Sequence, residues 1–144
     1  MAVVRGWGCA LGAVPLRQAP SANQLAQIKA LLQEAATSES FHVKKQAVAL
    51  LAASPVEAIR TPDAALAAAQ SLSKSPIQSD PRMFEAVAAA QASNGDFEQA
   101  EAQQQIALTK AKELAWNTRF MEERLEAYRH KRVWYGDVFA MPAP

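Results

Sequence analysis

A single cysteine, Cys9, in 144 residues excludes an intramolecular disulfide and a cysteine-built zinc cluster. Glycine is scarce too, at five residues, and aromatics supply only 7% of the chain. The glycines at 6, 8 and 12 follow no predicted strand and lead to no Gly-Lys-Ser/Thr ending, so a phosphate cradle is not expected there. Neither sign of charge prevails: 15 Lys and Arg against 14 Asp and Glu give a formal net charge of +1. That balance argues against bulk duplex nucleic acid as a partner. Alternating β-branched runs bounded by turns are missing, so strands are not expected. Residues 6–16 are uncharged and apolar but too short to span a bilayer, so no integral membrane segment is expected. His42 and His130 fall on different predicted helices without metal-ligand spacing, and no Ser/His/Asp grouping has a catalytic spacing. The chain reads as non-enzymatic, with no cofactor and no metal.

What remains is a helix-forming composition. Half the residues are hydrophobic, and much of that half is alanine, beside leucine, glutamine, glutamate and lysine. Periodicity and punctuation predict six helices, over about 23–36, 40–53, 62–73, 81–93, 96–114 and 118–131. Ser21 or Asn23 caps the first. Ser54-Pro55 ends the second, since the residue before proline avoids helical angles. Thr61-Pro62 and Asp80-Pro81 open the third and fourth with proline in the first turn. Residues 1–20 are expected to be a disordered or weakly signal-like leader, 21–135 a helical domain, and 136–144 a tail.

The clearest unit is residues 80–108, where apolar residues keep helical spacing on both sides of Asn94-Gly95-Asp96. Two antiparallel helices joined by a tight turn fit that pattern. Residues 81–111 resemble a tetratricopeptide repeat, whose unit carries large and small residues at fixed positions. Phe84 and Val87 match large positions of the first helix, and Ala88 the small position facing the second. Gly95 sits at the turn, while Phe97, Ala100 and Ala107 match the aromatic and small positions of the second helix. The sequence departs at Gln91 and Gln104, where the family carries a tyrosine and a large aromatic. Residues 46–72 resemble a variant hairpin with a proline-containing loop. Residues 115–135 are similar to the terminal helix of such arrays, with Met121, Leu125 and Tyr128 on one face to cover an exposed end. On this helix Glu122, Glu123, Arg124, Glu126 and Arg129 are expected to face water.

The resemblance implies an all-α, right-handed superhelix of stacked hairpins, and a protein-interaction role as an adaptor, scaffold or assembly factor in a bacterium. First helices of each pair then line a groove for a peptide or protein partner, with His42, Lys44, Lys45, Arg82, Glu85 and Gln91 as candidate contacts. Lys44 and Lys45 against Glu85 would give that groove mixed sign. Two other readings stay open. One is a self-associating repeat segment, a homo-oligomer that joins through exposed residues such as Trp116, Phe120 and Trp134. The other is single-stranded nucleic-acid binding by the basic–aromatic run 129–135, although the helix macrodipole alone favours bases at a helix C-terminus. A cytoplasmic location is expected, or a periplasmic one if residues 1–20 form an export signal.

Overall fold

Serine, aspartate and proline set most of the helix starts in a computed structural model that describes residues 19–143. The readings of Cys9 and of the 6–16 leader lie outside the described residues. Helix α1 spans Ala22–Ala35 and opens with a capping box in which Ser21 Oγ accepts from the Gln24 amide and Gln24 Oε1 from the Ser21 amide. Ser40 caps α2, Phe41–Ala53, which stops at Ser54-Pro55. A 3-10 turn at Glu57–Ile59 carries the chain to α3, Pro62–Ser73, with proline in its first turn. Asp80 caps α4, Pro81–Ser93, its side chain accepting from the Arg82 amide at 2.9 Å. Asp96 caps α5, Phe97–Glu113, through the Gln99 amide. Helix α6 covers Arg119–Arg129, and no strand occurs among the described residues.

Between α4 and α5 the chain reverses at Gly95, whose φ of 83° is a left-handed value that glycine adopts without a Cβ penalty. Ala115 and Lys131 take left-handed values of 58° and 55° after α5 and α6. The last of these ends α6 two residues earlier than periodicity alone predicts.

The helices pack as two consecutive hairpins. Helix α2 lies against α3 and α4 against α5; across the pairs, α4 packs on both α2 and α3. Helix α6 covers α5, and α1 sits on α2 and the 3-10 turn without burying any residue fully. Much of the buried surface is alanine. Ala52, Ala65, Ala86, Ala90, Ala107 and Ala111 are all completely inaccessible, which lets neighbouring backbones approach closely. Larger side chains fill the gaps, chiefly Val48, Leu51, Leu72, Met83 and Met121.

The segment after α6 packs on the helices through residues 134–139. It turns back over the helices: the Gly136 amide donates to the Ala53 carbonyl at 2.7 Å, and Val138 is 1% exposed within the main core.

Candidate functional site

Helical spacing lines up three stripes toward this returning segment. On α2 the stripe is Lys45, Ala49 and Ala53; on α4 it is Glu85, Ala88 and Ala92; on α6 it is Arg124 and Tyr128. Steps of three and four residues put each set on one helix face. Alanine at the middle positions leaves room for another chain to lie across the helices. Residues 132–140 occupy that room.

Trp134 packs against the small apolar cluster of Ala88, Ala92, Ala100 and Tyr128 and also against the main core, so it bridges the two clusters found among the described residues. Each aromatic ring of the segment meets a cation. The Arg124 guanidinium lies 5.1 Å from the Trp134 ring centre, Arg60 lies 4.0 Å from Tyr135, and Lys45 Nζ lies 5.8 Å from Phe139. Such pairs are attractive because the ring face is electron-rich. The segment then closes in a turn, with the Ala140 amide donating to the Asp137 carbonyl and the Phe139 amide to Asp137 Oδ1. A small cleft of about 190 Å³ remains between it and α2, bordered by Gln46, Ala49, Leu50 and Phe139.

Beneath Trp134 lies a buried polar cluster. Arg124, 1% exposed, donates from Nε to Glu85 Oε2 at 2.9 Å and from Nη2 to the same oxygen. Gln104 Nε2 donates to Glu85 Oε2 at 3.2 Å and to the Met121 carbonyl at 3.1 Å. Burial raises the Glu85 carboxyl above its ordinary value, and this outweighs the opposing pull of Arg124, Gln104 and Arg82. Burial also pushes the Tyr128 hydroxyl well above the usual phenol range. The pair ties α4 to α6. A second one, Lys45 Nζ to Asp80 Oδ2 at 2.7 Å, ties α2 to the start of α4.

These contacts correct several expectations. Glu85 does not face solvent; it is 2% exposed. Lys45 is 4% exposed and neutralised by Asp80 rather than set against Glu85, so the mixed-sign groove is not formed by these two. Lys44 turns toward α3, its Nζ donating to Ser71 Oγ at 2.8 Å. Arg82 stacks over Trp116 at 5.2 Å, and Gln91 is half-buried. His42 is exposed, edge-on to Phe41. The six candidate contacts are thus scattered over several surroundings. Arg124, expected in water, is among the most buried side chains of the protein, and Gln104 is buried as a hydrogen-bond donor rather than a gap in the packing. Its position was legible: Arg124 lies three residues after Met121 and four before Tyr128, on the face that covers α5.

Of the residues singled out for packing, Gly95 is exposed at its turn. Phe84, Val87, Ala88, Ala100 and Ala107 are buried, as are Met121, Leu125 and Tyr128, while Phe97 is partly so. Trp116, Phe120 and Trp134 are half-buried rather than open; the exposed large apolar residues include Leu31 at 65% and Ile28 at 37%, both on α1.

A larger cleft of about 370 Å³ lies between the end of α1 and helices α2 and α3, lined largely by Ala36, Ala64, Ala67 and Ala68 with Lys44 and Ser71. Gln33 and Thr37 also border it, and Lys44, its one cation, already bonds Ser71. No set of three or more metal-ligating side chains occurs among the described residues, and no described helix is long and apolar enough to cross a membrane. No protein-family model matches the chain, and no curated protein or solved structure matches it with significance.

Proposed function

We propose that the chain is a protein-interaction module of the tetratricopeptide kind, a right-handed stack of helix hairpins that binds a segment of a partner protein across α2, α4 and α6. The observation that carries this reading is that the face already accommodates a non-helical segment, residues 132–140, through ring–cation contacts and a main-chain hydrogen bond. Those are the contacts by which peptide-recognition grooves take extended ligands: backbone bonds supply affinity and pockets for side chains supply selectivity. The order of helix contacts supports it as well, with the first helices of both pairs side by side and the second helix of one pair touching the first of the next.

Panning a displayed library of random twelve-residue peptides on the folded chain tests the reading. Gln46 is exposed beside the segment, whereas Gln105 is exposed on α5. Enriched peptides are expected to weaken at least about fivefold on Gln46→Arg, roughly 1 kcal/mol, and to ignore Gln105→Arg. Binders that ignore Gln46→Arg, or a library that yields none, would contradict it.

A further inference from the structure

The residues lying across α2, α4 and α6 are arranged as a ligand would be, and their chemistry defines what the face selects. Three aromatic side chains in six residues, Trp134, Tyr135 and Phe139, each rest on a different cation, and the three cations come from three separate parts of the fold: Arg124 of α6, Arg60 of the loop after α2, and Lys45 of α2. Between them Val138 is buried, and the Gly136 amide reaches the last carbonyl of α2.

We propose that this face is a docking site for aromatic-rich, non-helical protein segments, and that residues 132–140 are its intramolecular occupant, which a partner of the same chemistry must displace. The proposal rests on the interaction-module reading above and names the partner for it. Its ring–cation contacts favour aromatic side chains, although Lys45 and Arg124 are already paired with Asp80 and Glu85.

Gly136 is the position at which the occupant can be released. Its φ of 147° is rarely adopted by other residues, and a Cβ there would meet the Trp134 ring at 2.7 Å. The variant Gly136→Val therefore cannot hold both the turn and the Trp134 contact, while it alters no residue of the helices. An intramolecular segment on a short tether competes at an effective concentration in the millimolar range. An external peptide meets that competition as a reduced apparent affinity, in proportion to the fraction of molecules with the face free.

The experiment is fluorescence anisotropy of a labelled peptide with the sequence of residues 131–142, titrated with the full chain, with full-chain Gly136→Val and with full-chain Tyr135→Ala. Tyr135 is 48% exposed, so its truncation loosens one stack without opening the core. Circular dichroism establishes that each variant keeps its helix content. Expected are at least about tenfold tighter binding to Gly136→Val than to the natural chain, and a gain of about threefold for Tyr135→Ala. Binding should be lost when the peptide's tryptophan and phenylalanine are both replaced by alanine. Equal affinity for all three proteins would overturn the idea of an occupant while leaving the face as a site. Binding to none of them would overturn the proposed partner chemistry, and the displayed library then decides the broader reading on its own. Should Gly136→Val lose helix content, Tyr135→Ala carries the test, and no gain there overturns the proposal.

Discussion

Arg124→Ala is expected to lower the unfolding free energy by about 3–5 kcal/mol, the usual result of removing one partner of a buried ion pair. Arg124 and Glu85 are both almost fully buried, so water cannot take the place of the guanidinium. Two donors to Glu85 Oε2 disappear together, and only Gln104 still reaches that oxygen. The platform under Trp134 goes as well. Urea titration followed by circular dichroism measures the effect. The double variant Arg124→Met with Glu85→Met should recover most of the loss, because an apolar pair of similar volume needs no hydrogen bonds. A loss below about 1 kcal/mol in Arg124→Ala, as for an exposed ion pair, would contradict the burial of this cluster.

The same cluster makes stability depend on pH. The folded chain holds the Glu85 proton more tightly than the unfolded chain, because burial raises that carboxyl above its ordinary value. The folded state is therefore favoured by this group below the ordinary carboxylate range, and the advantage is lost as pH rises through the raised value. Glu85→Gln removes the titrating group. Its stability should fall less than that of the natural chain between mildly acidic and neutral pH.

Leu51→Ala is expected to cost about 2–5 kcal/mol, the range for large-to-small changes in a packed core. Leu51 is completely inaccessible, and its carbonyl accepts from the Thr61 amide at 2.8 Å. It therefore sits where α2, the 3-10 turn and α3 meet. Much of the core is alanine, and small rigid side chains cannot rearrange to fill a cavity. Its neighbour Leu50 points the other way and is 43% exposed, so Leu50→Ala should stay within about 0.5 kcal/mol. Chemical denaturation of the two variants side by side measures the contrast. Equal costs would contradict the packing of α2.

The helices were legible because their signals are local. Proline at the start of α3 and α4, Ser54-Pro55 after α2 and Asn94-Gly95-Asp96 between α4 and α5 each act through backbone geometry within a few residues. Position along the stripes was legible too: Glu85 lies three residues before Ala88, Gln104 lies between Ala100 and Ala107, and Arg124 lies between Met121 and Tyr128. Charge obscured it, since glutamate and arginine are almost never fully buried unless paired. The pair joins residues 39 apart in sequence, and no local pattern announces such a partner. The return of residues 132–140 over α2 was illegible for the same reason. Its hydrogen bond links Gly136 to Ala53, and the segment has neither the 3.6-residue nor the two-residue period on which sequence reading depends.

The most direct measurement is a NOESY spectrum of the isotope-labelled chain, with a filtered spectrum of mixed labelled and unlabelled chains to identify contacts between copies. Cross-peaks are expected within one chain from the Trp134 indole to methyl groups of the Ala88, Ala92 and Ala100 cluster, and they should fade as an aromatic-rich peptide is added. A Trp134 indole with solvent-like shifts and no contact to those methyls would contradict the account, because the face across α2, α4 and α6 would then stand empty.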